Sequence, residues 1–338
     1  MTYSERSGIG LKGTNMDLVY YRLLATGVAM RLPPVRRLVA AARYRFRGRT
    51  VGHAASARYC YSVWLRHLVN ANAVGLQNVP ETVAELGPGD SLGVGIAALL
   101  SGVHTYYALD VVTYEGVEQN LALLEEIAEL FRARAPIPND DDFASLKPAL
   151  DSYAFPAFLN TAKLDEALSG ERIERIRHAL NWAPVDGGPS IAYQVPWTDL
   201  SVIEPGVVDM VFSQAVLEHV DDLPETYQAM YAWLKPGGIM SHQIDFKSHG
   251  FAREWNGHWR YSDRSWRMLH GGRPWTINRA PVSAHVTEAE HAGMEVVNEQ
   301  RVQRSSEIAR SQLADSFATL SDADLGTAGV FLQARKPA

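Results

Sequence analysis

Short apolar runs, separated by longer stretches with helical spacing, recur along this 338-residue chain. The runs have the length of buried strands and lie at residues 83–86, 106–109, 191–195, 207–212 and 329–334. Glycines or short polar groups follow several of them and mark turns into the next element. A repeated order of strand, turn, helix and strand is what a doubly wound parallel sheet requires, so we predict an α/β fold of that kind.

The turn after the first of these strands is the most informative segment of the chain. It reads Glu85-Leu86-Gly87-Pro88-Gly89, and glycine there lets the backbone approach a ligand closely because no Cβ stands in the way. The next strand ends at Asp110, 21 residues after Gly89, where a carboxylate can accept hydrogen bonds from ribose hydroxyls. The two features together predict a site for a nucleoside-bearing cofactor.

With these residues the chain resembles the class I S-adenosylmethionine-dependent methyltransferases, whose first motif runs acidic, apolar, Gly, any residue, Gly. Four later segments resemble further parts of the family in the family's order. Residues 207–220 resemble the fourth strand with its following helix, and 234–240 resemble the turn into the fifth strand. Residues 291–297 resemble the approach to the sixth strand, and 329–334 resemble the last strand. The resemblance covers roughly residues 78–335. It implies a seven-stranded, mostly parallel, Rossmann-like sheet that binds S-adenosylmethionine.

The resemblance also assigns cofactor contacts to individual positions of this sequence. They are expected at Glu85, Gly87, Pro88, Gly89, Asp110, Ser213 and Gln214. Many relatives place an acidic residue near the end of the third strand to face the adenine, but the segment 191–197 contains no carboxylate. We expect Gln194 or a backbone amide to take that place.

A second cofactor family fits part of the pattern. Gly89, Gly93 and Gly95 match the glycine loop of short-chain dehydrogenases, and Tyr231 with Lys235 matches their Tyr-x-x-x-Lys pair. A proline follows Lys235 at once, which places that pair at the end of a helix and not within one. We favour the methyltransferase and keep two alternatives, namely the dehydrogenase and a protein that binds S-adenosylmethionine without turnover.

The charge distribution divides the chain. Residues 1–50 contain ten Lys or Arg and two Asp or Glu, whereas the whole chain has a net charge of −6. We predict an N-terminal basic helical extension over residues 1–77 and a methyltransferase domain over 78–338, with inserts near 135–190 and 246–283. Two interpretations of the basic extension stay open: helices with a solvated charged face, and a contact with an anionic membrane surface.

Composition excludes several classes of protein. The single cysteine, Cys60, rules out an intramolecular disulfide framework, and no apolar run is long enough to span a membrane. The net negative charge argues against nucleic acid as a partner. We therefore expect a cytoplasmic enzyme acting on a small-molecule or glycan acceptor, with peripheral membrane association through the basic extension as an open alternative.

Histidines after the fifth strand are the candidates for acid–base chemistry. Methyl transfer to a hydroxyl requires removal of its proton near neutral pH, and imidazole is the usual base. His249 and His242 are the candidate bases, with Asp245 orienting one of them. The spacing of these groups, and of the Glu218-His219 pair before them, is too loose to predict a metal site.

The segment after this strand is dense in aromatic and basic side chains. Asn256-Gly257 demands a turn that presents polar groups at its tip, so we expect acceptor contacts around it. The expected contact residues there are Trp255, His258, Trp259 and Arg260, and we expect a further contact at His219. The alternative is that the tryptophans anchor the loop over the sheet. Segments 217–220, 242–250 and 255–259 together resemble methyltransferases associated with bacterial surface-polysaccharide biosynthesis. That resemblance implies O-methylation of a sugar, a glycan or another small-molecule hydroxyl, by in-line transfer with a histidine base.

Overall fold

The strand order of one sheet is the main feature of the fold. The computed structural model describes residues 14–32, 34–35, 56–111, 116–182, 187–197, 200–271, 273 and 276–338. Within these residues the strands are β1 Thr82–Leu86, β2 Thr105–Leu109, β3 Ser190–Gln194, β4 Val208–Gln214, β5 Leu234–Asp245, β6 Glu295–Gln303 and β7 Thr327–Arg335. They form a single seven-stranded sheet in the order β3-β2-β1-β4-β5-β7-β6.

The first five strands are parallel, and β7 runs antiparallel between β5 and β6. This confirms the prediction of a doubly wound, seven-stranded, mostly parallel sheet. The chain moves from β1 to β2 on one side and later returns to place β4 on the other side of β1. In open sheets of this type, ligands bind beyond the carboxyl ends of the strands at such a reversal.

Helices cover both faces of the sheet. In the described part of the chain they are α1 Thr14–Met30, α2 Ala57–Ala73, α3 Gly93–Ser101, α4 Val117–Arg132, α5 Ala162–Ala167, α6 Gly170–Leu180, α7 Leu223–Trp233, α8 Asp263–His270, α9 Val282–His291 and α10 Asp322–Leu325. Val83 packs into one apolar core with α2, α3 and α4, whereas Ala84 and Leu86 pack into a second core with α7 and α9. Because β1 is buried on both faces, its sequence is a nearly continuous apolar run.

The N-terminal helices pack against the rest of the chain. The predicted boundary at residue 77 assigns α2 to the extension, yet α2 lies in the main core, where Trp64 Nε1 donates a hydrogen bond to Ser101 Oγ at 3.0 Å. α1 crosses α8 at Gly27, where a Cβ would lie 2.1 Å from the Met268 carbonyl oxygen. Most of the basic segment, residues 36–55, lies outside the described residues. The domain boundaries themselves stay predictions.

A fully buried arginine holds the insert between α4 and β3 onto α2. Arg66 donates hydrogen bonds to the carbonyls of Pro138 at 3.0 Å and Leu146 at 3.3 Å, to the Pro148 carbonyl, and to the Asp140 carboxylate at 3.3 Å. Its guanidinium supplies buried donors to these carbonyls, and the Ser62 hydroxyl donates a second hydrogen bond to the Pro138 carbonyl at 3.0 Å. The insert therefore takes a fixed position near the carboxyl end of β4.

We expect Arg66→Met to lower the free energy of unfolding by about 3–5 kcal/mol, because the carbonyls of Leu146 and Pro148 and the carboxylate of Asp140 lose a charged, buried donor together. Arg58→Met is the matched control, since Arg58 pairs with Asp142 at the surface with 53% of its side chain exposed. That exposed pair should contribute less than about 1 kcal/mol. Urea unfolding of the two variants and the wild type checks the difference. Equal stability of the two variants would contradict the role given to Arg66.

Candidate active site

A cavity of about 350 Å³ opens at the carboxyl edge of the sheet, at the reversal between β1 and β4. Its volume lies within the range of about 300–1,000 Å³ that is usual for small-molecule sites. The ends of β1 and β2, the loop after β3, the loop 216–222 after β4 and the first turn of α7 line it. These elements contribute Gly87, Leu109, Asp110, Val111, Trp197, Val216, His219, Val220, Asp221, Asp222, Glu225 and Thr226.

The glycine turn after β1 shapes the floor of the cavity. Gly87 and Gly89 have left-handed backbones, with φ of +64° and +73°, which glycine adopts without a steric penalty. A Cβ at Gly87 would lie 2.7 Å from Val216 Cγ2. The absence of a side chain at Gly87 therefore lets the loop after β4 approach β1 and close that side of the cavity.

Asp110 is held by the same turn. Its Oδ2 accepts a hydrogen bond from the Gly89 amide at 3.3 Å, and its Oδ1 accepts one from the Val111 amide at 2.6 Å. These bonds fix the orientation of a carboxylate that lines the cavity. Three further acidic residues, Asp221, Asp222 and Glu225, also line it, and the described lining includes neither Lys nor Arg. The electrostatics therefore favour a ligand with positive charge.

Several residues expected at the cofactor lie beneath the edge of the sheet. Glu85 is buried and accepts a hydrogen bond from Tyr106 Oη at 2.5 Å. Burial raises the pKa of Glu85 to about 8, against the opposing effect of the Tyr106 hydrogen bond. Pro88 is buried between the two glycines. Glu85 and Pro88 are not among the residues that line the cavity, so they support its floor from below.

The expected contacts from β3 and β4 also need correction. Ser213 is buried and its hydroxyl bonds with His242 Nδ1 at 2.7 Å, while Gln214 Oε1 lies 3.2 Å from His67 Nε2 on the opposite face. Gln194 has an exposed side chain, and its carbonyl accepts the Asp110 amide at 3.2 Å. None of these three side chains lines the cavity. Side chains near the end of a strand point to the faces of the sheet, whereas the cavity lies beyond its edge.

The lining residues that sequence reasoning missed include Trp197 and, in the loop 216–222, Val216, Val220, Asp221 and Asp222. His219, in the same loop, was expected at the acceptor and lines the cavity. The Trp197 amide donates to the Asp110 carbonyl at 3.1 Å, and its ring lies 5.8 Å from that of Trp233. One feature of the sequence could have indicated Trp197: it is an aromatic residue just after the third strand, where many relatives have a carboxylate that faces the adenine. Val216 and Val220 add apolar surface to the wall that Trp197 begins.

Beside the cavity, the loops after β4 and β5 bring two histidines and a carboxylate together. His219 lines the cavity, and its ring is 5.2 Å from the ring of His249 in an edge-to-face arrangement. His249 Nε2 lies 3.7 Å from Asp245 Oδ2. His249 has a left-handed backbone, with φ of +47°, which is uncommon for a residue with a side chain and clusters at functional sites.

The electrostatics of this cluster keep Asp245 ionised. Burial raises the pKa of Asp245, but contacts with His249 and Lys247 outweigh it and lower the pKa to about 2. Lys247 Nζ lies 2.8 Å from Asp245 Oδ2. The pKa of His219 is also lowered, by burial and by the neighbouring His249. For an imidazole, a lowered pKa favours the neutral form. The cluster thus combines a lasting negative charge with an imidazole that favours its neutral form.

His242 does not belong to this cluster. It is fully buried, and its Nδ1 bonds with the Ser213 hydroxyl. Burial lowers its pKa well below the ordinary value, and His67 and His285 add to that effect. A sealed imidazole cannot contact an acceptor, so the expectation that His242 is a base is corrected.

The aromatic segment after β5 anchors a loop. Trp255 Nε1 donates to the Ser305 carbonyl at 2.9 Å, and Trp259 Nε1 donates to the Arg279 carbonyl at 2.9 Å. Trp255, His258 and Trp259 are all buried, and Arg260 is paired with Glu254 at 2.5 Å. None of these four residues lines the cavity, although His258 shares a smaller cavity with Asp245. Acceptor contacts from these residues stay a prediction.

Glu218 is a buried carboxyl that sequence reasoning left without a role. Neither of its side-chain oxygens makes a hydrogen bond, and it shares a small cavity with Asp245, His258 and Arg279. Burial raises the pKa of Glu218 to about 8, and the charge of Asp245 adds to the rise. The backbone amides of Glu218 and Asp245 lower the pKa of the Glu218 carboxyl and so offset part of this rise, but neither amide makes a hydrogen bond to it.

The geometry also decides against the dehydrogenase alternative. Lys235 Nζ lies 2.8 Å from Asp209 Oδ1, near the starts of β5 and β4 and therefore at the opposite edge from the cavity. Lys336 Nζ sits 4.4 Å from the centre of the Tyr231 ring. Tyr231 and Lys235 are thus remote from any ligand bound at the glycine turn. No group of three or more His, Cys, Asp or Glu side chains in the described segments is placed to hold a metal ion.

Comparison with known proteins defines the family. A family model described as a methyltransferase domain matches residues 65–273, which is more than half of the chain. The chain belongs to this family and is an S-adenosylmethionine-dependent methyltransferase. This finding favours an enzyme over the alternative of binding without turnover. A comparison with curated protein sequences gives no match.

Solved structures of methyltransferases are similar to this chain at low identity. An S-adenosylmethionine-dependent methyltransferase from Mesorhizobium loti is 13% identical with a TM-score of 0.39, and the match covers 84% of this chain and 100% of that one. One from Methanosarcina mazei is 9% identical with a TM-score of 0.39, and the match covers 79% of this chain and 96% of that one. Phosphoethanolamine N-methyltransferase 2 from Haemonchus contortus, in complex with S-adenosylmethionine, is 14% identical with a TM-score of 0.40, covering 84% and 58%.

We expect Asp110→Ala to weaken binding of S-adenosylhomocysteine by about 10- to 150-fold, because charge-assisted bonds to the ribose contribute about 1.5–3 kcal/mol. Isothermal titration measures the change. Asp141→Asn, in the exposed turn of the insert, is the control and should leave the affinity unaltered. A folded Asp110→Ala variant with wild-type affinity would show that the ribose lies elsewhere.

The buried Glu218 should make stability depend on pH. Its pKa is about 8 in the folded chain against an ordinary value of 4.5. As pH rises from 4.5 to 8 the unfolded chain ionises first, so the folded state progressively loses stability, by a few kcal/mol at about 1.4 kcal/mol per pKa unit. Glu218→Gln should remove this loss and be more stable than wild type near pH 8.

Urea unfolding of Glu218→Gln at pH 5 and pH 8 tests this expectation. Glu166→Gln, on the exposed face of α5, is the control and should follow the wild type at both values. The same pH dependence in Glu218→Gln and in the wild type would contradict a neutral Glu218.

Proposed function

We propose that this enzyme methylates a hydroxyl group of a small-molecule acceptor, a sugar or glycan among them, with His249 as the general base. The observation that carries the proposal is the pairing of His249 with Asp245 beside His219, which lines the cavity. His249 has 30% of its side chain exposed, so an acceptor can reach it. The other candidate base, His242, is sealed.

The cavity has the features that S-adenosylmethionine needs. Asp110 would accept hydrogen bonds from the ribose hydroxyls, and the rings and methyls of Trp197 and Val216 would flank the adenine. The amide of Gly89 fixes the Asp110 carboxylate for that contact. The acidic lining suits the sulfonium and ammonium charges of the cofactor. The fit rests on volume, backbone geometry and charge together.

When bound, S-adenosylmethionine supplies a methyl group that is already activated by its sulfonium. The protein therefore has to align the acceptor and take up one proton. The acceptor oxygen would form its new bond to the methyl carbon as the carbon–sulfur bond breaks, and His249 would take up the proton of the acceptor hydroxyl. The products would be a methyl ether, S-adenosylhomocysteine and a proton that His249 releases to solvent.

Asp245 has two tasks in this proposal. It lies nearest Nε2 of His249, which leaves Nδ1 as the ring nitrogen that we assign to the acceptor proton. Because the pKa of Asp245 is lowered to about 2, its charge persists throughout and stabilises the imidazolium once His249 is protonated. The left-handed backbone at His249 aims the ring back toward β4 and His219.

The acceptor class rests on hydroxyl chemistry. The indole rings that suggested sugar stacking, Trp255 and Trp259, are buried and bonded to backbone carbonyls. What supports a hydroxyl acceptor is the imidazole–carboxylate pair, because an oxygen nucleophile must lose its proton as it attacks. A neutral amine attacks through its own lone pair and depends less on such a base.

We expect His249→Ala to lower turnover by about 10²- to 10⁴-fold while binding of S-adenosylhomocysteine stays within about twofold of wild type. The assay is release of S-adenosylhomocysteine with the best acceptor from a panel of sugar nucleotides and free sugars. His178→Ala is the control, since His178 is an exposed histidine on α6 and pairs with Glu174.

Two results would contradict the proposal. One is a His249→Ala variant that keeps wild-type turnover. The other is a wild-type enzyme that methylates amines in a matching panel but none of the hydroxyl compounds. A loss of cofactor affinity in His249→Ala would instead show that the ring contributes to binding, which the affinity measurement separates from a loss of turnover alone.

A further inference from the structure

The outer side of α1 carries an apolar stripe. Tyr21, Val28 and Leu32 are 62%, 53% and 55% exposed, and the Leu32 amide continues the helical turn by donating to the Ala29 carbonyl at 3.1 Å. Tyr21 and Val28 are seven residues apart on α1 and lie about 20° from each other around its axis, because successive helical residues are about 100° apart. Leu32 follows the C-terminal end of the helix, just after Met30. We call these three residues the α1 stripe.

The stripe lies opposite the side by which α1 is attached. Leu23 and Met30 are buried, and Gly27 meets the backbone of α8 so closely that a Cβ would lie 2.1 Å from the Met268 carbonyl oxygen. Leu23 and Met30 lie roughly 140–180° from Tyr21 and Val28 around the helix, and Gly27 lies about 120° from Tyr21. The docking of α1 therefore fixes which side of the helix faces outward.

The exposure of the stripe is concentrated. Among the described residues five large apolar side chains are strongly exposed, and the α1 stripe contains three of them. The other two are separate, since Val111 lines the cofactor cavity and Trp182 stacks on Tyr193. Single exposed apolar residues are ordinary, but a clustered row on one helix marks an interaction surface.

Basic side chains lie beside the stripe. Arg22 is exposed and lies about 100° from Tyr21 around α1, and the exposed Arg31 directly follows the end of the helix, where its Nη2 donates to the Arg267 carbonyl at 3.1 Å. On the adjoining α8, Arg264 and Arg267 are exposed, whereas the acidic Asp263 is paired with Arg279 at 2.8 Å. The sequence places ten basic and two acidic residues in the first fifty positions of a chain with net charge −6. Of these ten, Arg22 and Arg31 are among the described residues, and with Arg264 and Arg267 they place four exposed basic side chains on α1, just after it and on α8.

We propose that the α1 stripe, flanked by Arg22 and Arg31, binds the surface of an anionic lipid bilayer. Apolar side chains of a helix lying in the interface enter the boundary of the headgroups, and flanking arginines contact the anionic headgroups. The contact is peripheral, because none of the described helices has the length and apolar character to cross a membrane. The proposal is independent of the acceptor and of the role of His249.

A second copy of the chain fits this surface less well. A stable protein interface needs about 800 Å² from each partner, and three side chains supply much less. In a two-fold symmetric contact, the arginines of one copy would also face those of the other. Anionic headgroups complement these arginines, so charge favours a bilayer as the occupant.

The test is flotation of the full chain with phosphatidylcholine vesicles, with and without phosphatidylglycerol. The wild type should float with the anionic vesicles and much less with the neutral ones. The triple variant Tyr21→Ser, Val28→Ser, Leu32→Ser should lower the bound fraction by about tenfold or more. Trp182→Ser removes an exposed apolar residue elsewhere and should float as the wild type does.

Binding of S-adenosylhomocysteine by each variant shows that it is folded. The proposal is overturned if the wild type does not float with anionic vesicles, or if the triple variant floats as well as the wild type. It is also overturned if sedimentation shows a wild-type dimer that the triple variant dissociates, because a second copy would then occupy the stripe. Arg22→Glu with Arg31→Glu should weaken flotation with anionic vesicles only.

Discussion

The contact between Gly87 and Val216 is the constraint on which the rest of the site depends. A Cβ at residue 87 would lie 2.7 Å from Cγ2 of Val216, so only glycine leaves room for this contact. This approach brings the loop after β4 over the end of β1 and makes one wall of the cavity. The same loop continues into His219, so the backbone geometry that encloses the cofactor also places the histidine nearest to it.

The site joins two chemical environments that the strand order sets side by side. We propose that Asp110 and Trp197, after the ends of β2 and β3, provide the surface for the nucleoside. In the same proposal His249, paired with Asp245 at the end of β5, is the proton acceptor. β1 and β4 lie between these groups in the sheet, so the glycine turn and the loop 216–222 separate nucleoside binding from proton transfer. In this arrangement a bound cofactor can extend from one environment to the other.

Buried hydrogen bonds join side chains of neighbouring strands beneath the edge of the sheet. Glu85 is bonded by Tyr106, and Ser213 is bonded to His242. Burial favours the neutral forms of Glu85 and His242 by shifting their pKa values in opposite directions, up for the carboxyl and down for the imidazole. Neutral groups with hydrogen-bond partners cost less to bury than charges do. They therefore support the edge of the sheet, where Asp110 lines the cavity and the ionised Asp245 lies beside it.

The sequence was most informative where a single residue type meets a backbone requirement. The glycine turn and Asp110 could be predicted because a strand end, a left-handed backbone and a ribose contact leave few alternatives. Ser213 and Gln214 were expected at the cofactor, but strand alternation turns them to opposite faces of the sheet, and the residues that reach the cavity follow them. Trp255 and Trp259 show a different difficulty, since aromatic density has the same appearance whether the rings bind a ligand or anchor a loop.

A crystal structure of the full chain with S-adenosylhomocysteine would test the central claim most directly. The account predicts the ribose on the Asp110 carboxylate, the adenine between Trp197 and Val216, and the sulfur facing the space between His219 and His249. A ligand bound elsewhere would contradict it. A ligand in the cavity whose sulfur is separated from His249 by ordered protein would keep the cofactor site and contradict the assignment of the base.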